Sequence, residues 1–374
     1  MKRAFFFAAI VFLGLIYYSA GSPMEVADRV MVHAIGIDPV EDGYRVTLQV
    51  FSPASGGSET AIDPSQPNVS LVKGEGGSAA EAIHDCESRL GGHVFIGQNR
   101  IILFGRDTDL SRDKELFGYF LGSSEAYLNT ECAAAEGSAE KLLSLPIPSN
   151  VIASDKFVTM INSERERGCT LSCTLMQLLE AMETPHKCAV MPLFSALPDK
   201  SGGDKAEGGS EPKKLGTEAG LVLKKCAVFS GGQYAGELSG ERAGLLGMIN
   251  GSGSSVFTET EYGGRRLGKT YRLEAREVTA ERRGDELWFY VRCKADPRDE
   301  QYFSDPAERE GFTKAARESL SAEAADLAEE LCAEGLPELL GADRDLRRHF
   351  PALLRTRGMT DELFARVRYE ISVE

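Results

Sequence analysis

The chain has 374 residues, more than one hydrophobic core usually supports, and its 42% apolar content is ample for two or three packed domains. Its 42 Lys and Arg stand against 57 Asp and Glu, a formal net charge of −15, which argues against nucleic-acid binding through a broad basic surface.

Behind Lys2 and Arg3, Ala4 to Tyr18 forms the only strongly apolar segment. At about 15 residues it is short of the roughly 20 that span a bilayer and fits the apolar region of an export signal. The basic residues stay inside, so the remainder of the chain is expected outside the cytoplasm. Ser19-Ala20-Gly21 permits cleavage before Ser22, and an uncleaved anchor is the alternative.

The folded part opens with Asp28 to Asp38, an apolar strand, then a Pro-Val-Glu-Asp-Gly turn. A second strand alternates Tyr44, Val46, Leu48 and Val50 with Arg45, Thr47 and Gln49, so a half-buried hairpin is expected. Residues 55–66 read as a mobile Gly, Ser and Pro-rich loop. A strand at Val69 to Lys73 leads to a helix over 78–90, capped by Ser78 and stopped by Gly91-Gly92. The unbroken run Ile101 to Phe104 predicts a buried strand. Next come a helix over 107–121, a strand over 127–135 and a short helix over 138–143.

Pro146 and Pro148 suggest a domain edge. Apolar spacing predicts helices over 150–160 and 172–182, then a strand over 188–197. Residues 198–217 form the clearest linker. Beyond it come a hairpin over 219–238 turned by Ser230-Gly231-Gly232, a helix from Glu241 capped by Ser239, and strands at 255–262, 269–279 and 286–294. Helices over 305–331 and 344–354 and a closing strand over 364–373 complete the chain. The expected fold is α+β: two to three mixed domains with largely antiparallel sheets packed by helices, after a signal or anchor over 1–22. Their bounds are 23–197, with a break near 146–150, and 218–374.

The order of these blocks resembles the Ger(x)C family, the C subunit of spore nutrient-germinant receptors. The opening Gly36-Ile37-Asp38, the acidic turn and Tyr44-Arg-Val-Thr are similar to the start of the mature family. Ala79 to Leu90 followed by Gly97-Gln98 to Gly105, and Leu116 to Gly137, resemble two further blocks, with Gln98 in place of the family's His and Gly122-Ser123 in place of its Arg-Asp. Gly220 to Ser230 with Tyr234 to Leu246 resembles the opening of its C-terminal domain, and Arg347 to Pro351 with Val367 to Val373 its ending. The resemblance implies a non-enzymatic subunit beside integral membrane subunits on the outer face of the spore inner membrane, without cofactor. The family's lipid-bearing Cys is replaced by Ser22, which rules out lipidation there.

Other chemistry finds little support. Gly74-Glu-Gly76-Gly-Ser sits between a strand and a helix, as a dinucleotide-binding turn would, but also as any tight turn requiring small residues would. Gly-x-Ser-x-Gly, His-Glu-x-x-His and phosphate-loop motifs are absent. His33, His84, His93, His186 and His349 are far apart in sequence, and the eight cysteines lack metal-ligand spacing, reading mostly as small apolar fillers. The amphipathic helix over 306–331 is expected to pack on a sheet, with a partner-facing role as the alternative. The rival functions are an extracytoplasmic solute-binding protein, which usually has repeated βαβ halves, and a secreted enzyme, which would gather histidines and acids in one pocket.

Overall fold

The computed structural model describes residues 29–51, 69–145, 153–197, 220–298, 303–357 and 360–374. The signal segment, Ser22, the 55–66 loop, the Pro146 to Pro148 break and the 198–217 linker lie outside them. The first part of the chain forms β1 (Arg29–Val40), β2 (Gly43–Phe51), β3 (Val69–Gly76), α1 (Ala79–Leu90), β4 (His93–Phe95) and β5 (Ile101–Gly105). It continues through α2 (Asp113–Gly122), β6 (Glu131–Ala135), α3 (Ala139–Leu143), α4 (Ala153–Arg167), α5 (Leu175–Met182) and β7 (Ala189–Ala196).

Local rules set many boundaries. Ser78 accepts the Glu81 N–H to start α1, and Gly91, at φ 68°, ends it in the left-handed region. Thr174 and Gln177 form a capping box, so α5 begins at Leu175 rather than at Ser172. That leaves Cys169 and Cys173 on an extended connector instead of one helical turn. The strand expected over 127–135 begins only at Glu131, because Tyr127 to Thr130 turns, the Thr130 N–H donating to Tyr127 O.

After the linker come β8 (Leu221–Ser230), β9 (Gln233–Ser239), α6 (Gly240–Asn250), β10 (Ser255–Tyr262), β11 (Arg265–Arg283) and β12 (Glu286–Pro297). The last elements are α7 (Pro306–Ala333), a 3₁₀ turn (Pro337–Leu340), α8 (Ala342–His349), α9 (Pro351–Arg357), α10 (Asp361–Phe364) and β13 (Val367–Val373). The helix expected over 344–354 is two, since Pro351 has no N–H to continue the first and starts the second. The closing strand starts at Val367, the preceding residues being used by α10.

Two sheets result. The large one has nine strands ordered β3-β2-β1-β5-β6-β7-β8-β9, with β4 beside the start of β1. Its flanks are antiparallel, as the hairpins required, but β1, β5, β6 and β7 are mutually parallel neighbours. Helices cover both faces of this centre. Ile102 and Phe104 pack with Ile83 of α1 and Phe117 of α2, whereas Ile101 and Leu103 pack with Leu142 of α3 and Phe157 of α4. Double coverage is why Ile101 to Phe104 shows no polar alternation. Strands β7 and β8 pair antiparallel, Ala189 opposite Phe229, so the large sheet runs across the linker and ends only at β9.

The small sheet is β10-β11-β12-β13, antiparallel except for the β12–β13 pair. Helix α7 buries Phe312, Ala316, Leu320, Ala324, Leu327 and Leu331, a stripe directed into the protein's own core. The two units meet where α6 passes the 168–171 connector. Gly168 has φ 76°, and a Cβ on Gly244 would fall 2.0 Å from Gly168 O, a closeness only glycine allows.

A candidate site where the two sheets meet

The histidines do not converge. His33 on β1 is half-buried edge-on to Phe51, and burial lowers its pKa. His84 and His93 are exposed and share Glu87, at 3.2 and 3.3 Å. His349 lies beside Phe289. His186 alone gathers a charged cluster, and it does so across the junction of the two units.

His186 sits on the turn from α5 to β7, next to Lys187, whose φ is 46°. The turn is fixed by the β8–β9 hairpin: Gly231 N–H donates to His186 O and Gly232 N–H to Lys187 O. From the small-sheet unit come Glu338, on the 3₁₀ turn, and Asp361, on α10. Nδ1 of His186 stands 3.1 Å from Glu338 Oε1, and Nε2 stands 2.8 Å from Asp361 Oδ1. Thr184 Oγ1 donates to Glu338 Oε2 at 3.3 Å, and Phe364 lies edge-on to the imidazole at 4.8 Å. The Glu338 side chain is only 4% exposed. Burial raises its pKa above the usual carboxylate range, against the opposing pull of His186.

Chemically this is a coupling point. The His186 imidazole stands between two carboxylates from another part of the chain, so this contact ties the two units together. Sequence inspection missed it because Asp361 and His186 are 175 residues apart. Nearby Cys188, 3.8 Å from Ser230 Oγ, is buried, which pushes its thiol up to about 12. Among the described residues, no group of three or more His, Cys, Asp and Glu side chains could hold a metal ion. A groove of about 760 Å³ runs between α7 and the end of β13, lined by Arg309, Lys314, Arg317 and Glu318 among others, with no histidine.

The glycine turn at Gly74 to Ser78 serves packing. A Cβ on Gly74 would lie 2.2 Å from Ala82 O, and one on Gly76 2.5 Å from Glu81 Cβ, so these glycines let α1 lie against β3. Glu81 accepts the Gly77 N–H, placing a carboxylate at the helix start where a phosphate would bind.

Asp38 has a defined task. Its carboxylate, 6% exposed at the end of β1, accepts Ala139 N–H at 2.7 Å, Glu140 N–H at 2.9 Å and Ser138 Oγ–H at 3.0 Å, capping α3 from a neighbouring strand. In the small-sheet unit, Arg276 of β11 reaches Asp345 of α8 at 2.7 Å, and Tyr369 donates to the same carboxylate at 3.3 Å.

A large mixed sheet covered on both faces, followed by a small sheet under one long helix, defines an α+β protein. Residues 22–196 match the family described as the spore germination protein N-terminal domain. A solved structure, "Crystal Structure of the GerBC protein", aligns with a TM-score of 0.51 and 15% identity over 91% of this chain and 96% of that one. No curated protein sequence matches. Both likenesses support a member of the Ger(x)C family.

Proposed function

We propose that the protein is the C subunit of a spore germinant receptor, acting without catalysis at the outer face of the spore inner membrane beside integral membrane subunits. The observation that carries this is the germination-domain match over 22–196, which begins directly after the apolar export segment. Among the described residues no helix is long and apolar enough to cross a membrane, so in this reading the apolar N-terminal segment and the partner subunits hold the protein in place. Ser22 carries no thiol for lipid attachment. The packed junction of the two sheets supports a role in passing on a conformational signal, since a rigid connection moves as one body.

Deleting the protein is expected to abolish germination triggered by nutrients while leaving intact germination by agents that perturb the membrane directly. A normal nutrient response in the deletion would overturn the proposal.

A further inference from the structure

Four large apolar side chains remain exposed at one end of the large sheet: Tyr127 (65%), Leu121 (61%), Met176 (42%) and Leu128 (37%). The topology gathers them. Strands β1, β4, β5 and β6 run parallel, so their starts share one end, and α2 runs back from the far end to finish beside them. Leu121 is in the last turn of α2, Tyr127 and Leu128 lie on the loop before β6, and Met176 is in the first turn of α5. Met176 N–H donates to Leu128 O at 2.8 Å, tying the helix to the loop.

The chain enters the fold at that same end. Arg29, the first described residue, pairs with Glu125 of the patch loop at 3.2 Å, and its guanidinium lies over Phe95 at 5.2 Å. Only residues 19–28 separate it from the apolar segment ending at Tyr18. Ten residues extend at most about 35 Å, so the patch is never far from whatever holds that segment. Two leucines, a methionine and an amphipathic tyrosine are the side chains that partition into the headgroup layer of a bilayer. The neighbouring charges, Arg29 and Glu125, satisfy each other, so contact here does not depend on anionic lipid.

We propose that this end of the large sheet seats in the headgroup layer of the membrane from which the N-terminal segment emerges. The inference rests on the membrane association proposed above. Four side chains form a small contact, and the short tether makes it sufficient by keeping the patch at high effective concentration beside the lipid. The seated orientation fixes the fold relative to the membrane, with the β1–β2 turn pointing away.

The test uses the full chain with Trp288→Phe, reconstituted into phosphatidylcholine vesicles with and without lipids brominated near the headgroups. One variant adds Tyr127→Trp and another adds Glu41→Trp, at the exposed turn about 36 Å along β1. Brominated lipid is expected to remove most emission from the position 127 probe and leave that at position 41 unchanged, at low and high salt alike. Vesicle-bound protein with neither probe quenched, or with only position 41 quenched, overturns the seating while membrane association stands. Protein that stays in the aqueous fraction on flotation overturns the association itself, and the seating with it.

Discussion

The carboxylate of Asp38, at the end of β1, receives the backbone N–H of Ala139 at 2.7 Å and so caps α3 across a sequence separation of 101 residues. With Glu140 N–H and the Ser138 hydroxyl also bound, removing this side chain strands three donors, one buried and two part-buried. Asp38→Ala is expected to destabilise the protein by about 2 kcal/mol, at the upper end for a helix cap, read from urea unfolding. Asp38→Asn, which keeps one acceptor oxygen, should lose less.

The contact of Gly244 with Gly168 makes a second expectation. A methyl group there must displace backbone, so Gly244→Ala should destabilise by about 1–3 kcal/mol despite alanine's better helix propensity. Gly236→Ala, at a half-buried strand position with open space where the methyl would go, is the control and should change the midpoint little.

Removing one partner of a buried ion pair costs more than removing a neutral donor. Asp345→Ala leaves the Arg276 guanidinium, whose side chain is 14% exposed, without its carboxylate and should destabilise by about 3–5 kcal/mol. Tyr369→Phe removes a single hydrogen bond and should cost about 1 kcal/mol. Thermal melts of the two variants give the ranking.

Glu338 predicts a dependence on pH. Its folded pKa is raised above the ordinary value of 4.5, chiefly by burial. A raised folded pKa means that the protonated form is favoured by folding. Its contribution is therefore fully present below about 4.5 and is lost as pH rises through the folded value. Glu338→Gln keeps the shape without the charge, so its stability relative to the unsubstituted protein should increase as pH climbs out of the carboxylate range. Melting temperatures of both proteins from pH 4 to pH 7 check this; parallel curves would count against it.

The cysteines should be slow to react while the protein is folded. Cys132, Cys173 and Cys226 are buried in the described structure, and burial raises the thiol pKa of each. Thiol titration should find little fast reaction in native protein, with partly exposed Cys169 and Cys332 leading, and all eight groups after denaturation.

Much of the architecture was legible where its cause is local. The β1–β2 hairpin, Ser78 starting α1, Ser239 starting α6 and the Gly231-Gly232 turn each arise from a few adjacent residues. The run Ile101 to Phe104 announced a strand buried on both faces, but it did not reveal parallel neighbours, because those arrive by crossovers whose sense no local residue records.

The sequence by itself therefore determined most of the elements and the order of family landmarks, which depend on side chains near one another in the chain. Only the tertiary structure decided that β8 and β9 complete the first sheet, that Asp38 caps α3 and that His186 joins Glu338 and Asp361. These are pairings between distant segments, selected by burial of whole faces, and no short stretch of sequence carries that information. The exposed ridge from Leu121 to Met176 is of the same kind: its residues look ordinary in the chain and become a surface only when parallel strands bring their starts to one end.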